Sequence, residues 1–184
     1  MGPKKPRKSK ESPVANFVRD FAPRNSVRRV AIIFVVVLGV LLTISLLSGR
    51  WSGWVPITNG IAAVAGGTAR ALGIPATVEG NLIRTPTRTL AVDPQCTAVD
   101  LLAVYAALIL AYPLKWKMRL VALVVGAIVL QVANIARLVG VAWAAVLVNG
   151  RSFDLVHDYL FEFAMVFVVM MMWAVWLTLA RRTA

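Results

Sequence analysis

The chain contains only one cysteine, one histidine and eight acidic residues among 184 positions. A single cysteine excludes an intrachain disulfide, so no covalent cross-link is available to the fold. One histidine and one cysteine, even with nearby carboxylates, make a weak metal site, and we expect neither a metal nor a cofactor. The sequence also contains no glycine-rich phosphate loop and no serine-centred nucleophile elbow.

Apolar residues are abundant instead. They make up 59% of the chain, and the mean hydropathy is +0.76. A soluble domain of this size would have to bury almost all of that surface, whereas a lipid bilayer solvates it. The composition therefore predicts a membrane protein.

The net charge of +12 comes from basic residues that occur in blocks. Such blocks bind nucleic acid in some proteins. Here each block adjoins an apolar stretch, so the excess of positive charge on the cytoplasmic side of membrane proteins explains them more simply. We therefore expect membrane lipid, and no nucleic acid, as a partner. The blocks lie in the N-terminal tail, before the first apolar run, at Lys115, Lys117 and Arg119, and at Arg181 and Arg182.

We expect two parts: a basic, disordered cytoplasmic tail (residues 1–29) and a membrane-embedded domain (residues 30–184). The first apolar run, residues 30–48, is about 28 Å long as a helix and crosses a bilayer once. No small-x-small cleavage site follows it, so we interpret it as an uncleaved anchor.

The sequence predicts an all-α polytopic membrane protein with about four main transmembrane helices. The third apolar run is too long for one perpendicular crossing, so it must tilt, bend or project beyond the bilayer. Four crossings would put both termini in the cytoplasm, with Cys96 and His157 together at the opposite surface. The four runs are residues 30–48, 97–112, 120–148 and 159–180.

The segment between the first two spans is less apolar. Residues 57–72 favour a helix lying on the membrane surface. Residues 76–84 and 87–92 are short β-prone runs separated by Thr85 and Pro86, and they predict a small hairpin outside the membrane.

Cys96 follows a helix-start signal. Asp93 can cap a helix and Pro94 suits the first helical position, so the pattern puts Cys96 in the first turn of the second span. Unsatisfied backbone N–H groups and the helix dipole favour a thiolate there. The alternative is a small apolar side chain that only fills space.

Arg137 lies within an apolar run, about 26 Å along a helix that begins at residue 120 and just inside the edge of a ~30 Å hydrocarbon core. An arginine at that depth costs several kcal/mol unless it is paired or hydrated, so it is a functional candidate. The alternative is a side chain that extends to the interface. Asn134, one turn earlier, adds polarity to the helix. Asp100, on the same predicted face as Cys96, is a candidate counter-ion for Arg137, and Glu162 is a second candidate.

His157 precedes Asp158 at the start of the last span. Near a helix N-terminus an imidazolium is disfavoured, so His157 can remain a neutral base able to accept a thiol proton. The alternative is an interfacial histidine without a chemical role. The thiol, the guanidinium and the imidazole together form the parts of a cysteine nucleophile site.

The chain resembles the exosortase/archaeosortase family of multi-pass cysteine transpeptidases, most closely the exosortase H branch. Three motifs carry the resemblance, which runs from about Leu82 to the C-terminus. It implies that Cys96 is the nucleophile, Arg137 the stabiliser of the transition state or substrate, and His157 the general acid and base. Family members usually follow the cysteine with Ser-Gly or Asn-Gly, and this chain has Thr-Ala. The motifs are Asp93-Pro94-Gln95-Cys96-Thr97-Ala98, Asn134-Ile135-Ala136-Arg137 and His157-Asp158-Tyr159.

The resemblance implies that the substrates are exported proteins with a C-terminal sorting tail of short motif, apolar helix and basic cluster. It also implies a bacterial inner-membrane protein with its active site on the extracytoplasmic face. A non-catalytic scaffold for polysaccharide or protein export is the alternative, in which Arg137 and Asp100 form a structural ion pair. A small transporter is a third class, disfavoured because the polar residues gather at one surface rather than at the midplane.

Overall fold

The computed structural model describes residues 24–48, 53–112, 114–147, 153 and 160–182. The described chain is mainly helical, as expected, with one small sheet between the second and third helices. In chain order the elements are α1 (Arg24–Ser48), α2 (Trp54–Ala71), β1 (Thr77–Glu79), β2 (Leu82–Arg84), β3 (Thr89–Ala91), a 3₁₀ helix (Pro94–Thr97), α3 (Val99–Ala111), α4 (Trp116–Leu147) and α5 (Phe161–Arg182).

Three of the described helices are long and apolar enough to cross a bilayer: Arg28–Leu47, Trp116–Leu147 and Phe161–Leu179. They correspond to the first, third and fourth predicted spans. The second predicted span is shorter than expected, because α3 has 13 residues and is only about 20 Å long. The third run forms one continuous helix of 32 residues, about 48 Å, which exceeds the thickness of a hydrocarbon core.

Helix α1 begins at Arg24, so residues 24–29 are helical rather than part of a disordered tail. The reason is that arginine is a good helix former and an established apolar helix extends readily into such a segment. The rest of the predicted tail lies outside the described residues. Much of α1 is not covered by protein, including Val35 and Leu46, and the helix packs on α3.

Helix α2 covers nearly all of the predicted helix of residues 57–72 and begins earlier, and its predicted place on the membrane surface stays a prediction. Its buried face is made of small side chains that let it pack closely on α4 and on the sheet. At Gly66 the approach is so close that a Cβ atom would lie 2.3 Å from Cγ2 of Val78. The buried residues of α2 are Thr58, Ala62, Ala65, Gly66 and Ala69.

The sheet has three antiparallel strands in the order β1-β2-β3, with Val78 opposite Ile83 and Ile83 opposite Leu90. We expected a hairpin of two strands. The first β-prone run instead folds back on itself at Gly80, whose φ of +59° suits glycine, and so supplies two strands.

Two contacts attach this sheet to the C-terminal end of α4 and to Phe153, which packs against it. The hydroxyl of Thr87, in the β2–β3 loop, donates a hydrogen bond to the carbonyl oxygen of Ala145. The guanidinium of Arg88 stacks on the ring of Phe153, 4.2 Å from its centroid. The sheet and the 3₁₀ helix that follows it are thereby held at the end of α4 that carries Arg137.

Candidate active site

Cys96 lies in a 3₁₀ helix of four residues, Pro94–Thr97, and not in the first turn of a long membrane helix as we predicted. Pro94 does occupy the start of this short helix, but the side chain of Asp93 makes no capping hydrogen bond. The backbone N–H of Cys96 donates to the carbonyl oxygen of Asp93, at 2.8 Å. Because so short a helix has little dipole, the dipole argument for a thiolate does not apply.

The break between the 3₁₀ helix and α3 is at Ala98, which has φ 58° and ψ 17°. This left-handed conformation costs an alanine roughly 1–2 kcal/mol relative to a right-handed one, whereas glycine adopts it freely. Position 98 is where the family resemblance leads us to expect glycine. The alanine therefore keeps the backbone shape that glycine would supply.

The carbonyl oxygen of Cys96 accepts a hydrogen bond from Nδ2 of Asn134 on α4, at 2.8 Å. The thiol is partly buried and packs against the core formed by α2, the sheet and α4. Its Sγ lies 4.0 Å from the carbonyl oxygen of Ala91, a long contact even for sulfur. The backbone of Cys96 is therefore fixed by a hydrogen bond, whereas its thiol has only a long polar contact.

Arg137 lies one turn after Asn134 on α4, and its side chain is only 11% exposed. The guanidinium Nη2 lies 3.5 Å from Oε2 of Glu162 on α5. Its Nε is buried and has no hydrogen-bond partner among the described residues. Nε of Arg137 is therefore a donor without a partner among the described residues, and it lies one helical turn from Asn134, which bonds the backbone of Cys96.

Asp100 is not the counter-ion of Arg137 that we expected; among the described residues that carboxylate is Glu162. Oδ1 of Asp100 accepts a hydrogen bond from Oγ of Ser45 on α1, at 2.6 Å. The expectation assumed that Cys96 and Asp100 share one helical face. The turn at Ala98 rotates α3 relative to the 3₁₀ helix and directs Asp100 towards α1.

A cavity of about 410 Å³ opens beside the 3₁₀ helix, between α1 and the start of α2. Two carboxylates and an amide form part of its wall, so polar groups are available to a bound molecule. Its lining residues are Ser45, Leu46, Trp54, Asp93, Pro94, Gln95 and Asp100.

His157 and Asp158 lie outside the described residues, so their predicted roles stay predictions. They precede α5, which begins at Phe161. The ring of Phe161 packs against Gly140, where a Cβ atom would lie 2.8 Å from Cζ. The start of α5 is therefore held against α4 at a position one turn beyond Arg137.

The sequence did not reveal three features of this site: the hydrogen bond from Asn134 to Cys96, the left-handed Ala98, and Ser45 as the partner of Asp100. Only Ala98 had a signal, because the motif Cys-Thr-Ala stands where related chains have a glycine. The other two depend on how separate helices are rotated against each other, which local sequence does not encode.

The fold and the site define a multi-pass membrane protein with one cysteine held against an arginine-bearing helix. A family model described as transmembrane exosortase matches residues 21–176, more than four fifths of the chain. The chain belongs to the transmembrane exosortase family, which confirms the predicted resemblance. No curated protein and no solved structure matches it.

Proposed function

We propose that this protein is a membrane-embedded cysteine peptidase or transpeptidase that cleaves the C-terminal sorting tail of exported proteins. Family membership supports a transpeptidase-type role in general. The observation that carries the specific proposal is the hydrogen bond from Asn134 to the carbonyl of Cys96, because it joins the only cysteine to the helix that bears Arg137.

In the proposed reaction, Sγ of Cys96 attacks the backbone carbonyl carbon beside the sorting motif and forms a C–S bond. Arg137 stabilises the oxyanion that develops on the carbonyl oxygen. The C–N bond then breaks, and the leaving amine takes a proton from His157, which had accepted it from the thiol. Water or an amine attacks the thioester, breaks the C–S bond and restores the thiol. Asn134 and Asp158 have supporting roles in this proposal, whereas Asp100 has none, because it accepts its hydrogen bond from Ser45 on α1.

The proposed location is the bacterial inner membrane, with the site on the extracytoplasmic face and both termini in the cytoplasm. The basic blocks support this orientation, since positive charge favours the cytoplasmic side. The apolar helix of the sorting tail can then approach the protein laterally from the lipid, while its motif reaches Cys96 at the surface.

The alternative function is a non-catalytic scaffold or assembly subunit for export. The ion pair between Arg137 and Glu162, which links α4 to α5, favours it, because such a pair can serve structure alone. In a scaffold Cys96 has no chemical role.

The test is cleavage of a reporter protein carrying a sorting tail, in cells that express the wild type or Cys96→Ala. We expect Cys96→Ala to abolish cleavage while the amount of inserted protein is unchanged. Ala103→Ser, a change of similar size in the interior of α3, is the control and should keep activity. Cleavage by Cys96→Ala at the wild-type rate would refute the enzyme and leave the scaffold.

A further inference from the structure

The backbone carbonyl of Cys96 accepts its hydrogen bond from a side chain on another helix. Inside an α-helix this carbonyl would accept the N–H group of Asp100, four residues later. The left-handed backbone at Ala98 interrupts the helix, so the carbonyl of Cys96 turns to another donor. That donor is Nδ2 of Asn134, 38 positions along the chain, at 2.8 Å.

Asn134 is fully buried, with 0% of its surface exposed. A carbonyl oxygen can only accept, so the amide atom that faces Cys96 must be the nitrogen, and the orientation of the amide follows from this contact. The other amide atom, Oδ1, has no hydrogen-bond partner among the described residues. A half-satisfied amide inside a protein reduces stability, so packing alone does not account for an asparagine at this position.

Both backbone groups of Cys96 are thereby fixed. Its N–H donates to the carbonyl oxygen of Asp93, and its carbonyl accepts from Asn134. Rotation about the Cα–Cβ bond is the main freedom left to the thiol. The anchoring residue lies one turn from Arg137 on the same continuous helix, so nucleophile and oxyanion stabiliser share one rigid support.

We propose that Asn134 is a positioning residue, which holds the backbone of Cys96 so that its thiol points at the substrate carbonyl. This inference rests on the proposed function and assigns a role within it. Asn134 does not contact the reacting atoms, and it acts through the geometry of Cys96. Its loss should therefore lower kcat and leave KM unchanged, since substrate binding does not use it.

The test is Asn134→Leu, which keeps the size of the side chain and removes the amide. Because the chain has a single cysteine, cysteine labelled with ¹³C at the carbonyl gives one infrared band that reports this hydrogen bond. We expect the band to move to higher frequency in the variant. We expect kcat for tail cleavage to fall on the order of 100-fold, the effect of a small misplacement of a reacting group. The reaction of the thiol with a small alkylating reagent should not change, because it needs no fixed orientation.

Gln131→Leu is the matched control, since it removes a similar amide from the same helix one turn earlier. It should change neither the band nor kcat. If Asn134→Leu does not accumulate, Asn134→Ala supplies the same measurements, because it also removes the amide donor. An unchanged band, an unchanged kcat, or a raised KM with constant kcat would each overturn the positioning role. Tail cleavage that survives Cys96→Ala would instead overturn the proposed function itself.

Discussion

The contact between α3 and α4 and the contact between the 3₁₀ helix and α4 differ in how completely their buried polar atoms are hydrogen-bonded. In the first, the ring of Tyr105 fills the space above Gly126, where a Cβ atom would lie 2.0 Å from Cε1. The hydroxyl of Tyr105 donates to the carbonyl oxygen of Ala122 at 2.9 Å, and the tyrosine is fully buried. The ring therefore fills the space at Gly126, and its hydroxyl has a hydrogen-bond partner.

In the second contact, Asn134 keeps a buried polar atom without a partner among the described residues, and so does Arg137 one turn further along α4. Leaving such an atom unpaired costs about 1–3 kcal/mol. The only other described residue with such an atom is Arg119, which lies in the first turn of α4 among the basic residues that flank the apolar stretch. The Tyr105 contact therefore adds stability, whereas the unpaired atoms of Asn134 and Arg137 reduce it. The proposed function gives a reason for this cost, because it assigns both residues to the reaction.

The largest effect we expect is on catalysis, from Arg137→Ala. If Arg137 stabilises the oxyanion, this change should slow tail cleavage about 100- to 1000-fold, or 2.7–4 kcal/mol, per molecule of inserted protein. Arg137→Lys should recover only part of the rate, because lysine keeps the charge but loses the planar set of donors.

A purely structural ion pair predicts another pattern for Arg137→Ala. The loss would then appear as less folded protein, because Glu162 would be left without its partner, and Arg137→Ala combined with Glu162→Ala would restore both abundance and cleavage. A double variant that cleaves like the wild type would remove Arg137 from the chemistry.

The next effect is on stability, from Gly126→Ala. The added methyl group collides with the ring of Tyr105, so the free energy of unfolding should fall by about 1–3 kcal/mol. Thermal denaturation in detergent measures this loss, and the cleavage rate per folded molecule should stay constant. Gly39→Ala in α1 is the control, because no other part of the described chain lies within 4 Å of the added Cβ. Equal midpoints for the two variants would contradict the packing difference.

The smallest effect is expected from Ala98→Gly. Glycine removes the cost of the left-handed conformation but adds freedom to the unfolded chain, so the net gain should be below about 1 kcal/mol. Ala98→Val should have the opposite sign and destabilise, because a branched side chain tolerates positive φ poorly. Ala107→Gly, inside α3, is the control and should destabilise the protein, because glycine is unfavourable within a helix. A gain at position 98 would then be due to the left-handed backbone there. A higher midpoint for Ala98→Val than for Ala98→Gly would contradict this conformation.

Much of the helical framework could be predicted because long apolar runs have few other structures available in a membrane. The continuous run before and after Arg137 predicted α4, and the motif around Cys96 predicted a site near it. The start of the second span could not be predicted, because alanine does not by itself indicate positive φ, and only the glycine that the family resemblance leads us to expect at position 98 pointed to it. Asp100 was therefore assigned to the wrong partner: its true neighbour, Ser45, is 55 positions away on α1.

The central proposal is that Cys96, anchored to the helix that bears Arg137, is the nucleophile. Its most direct test is the mass of the intact protein during turnover. Purified protein is mixed with a substrate carrying a sorting tail and stopped with acid. We predict a protein whose mass is increased by the N-terminal fragment of the substrate, attached to Cys96 as a thioester, released by hydroxylamine and absent from Cys96→Ala. Cleavage that proceeds at the wild-type rate in Cys96→Ala, with no adduct in either protein, would contradict the account.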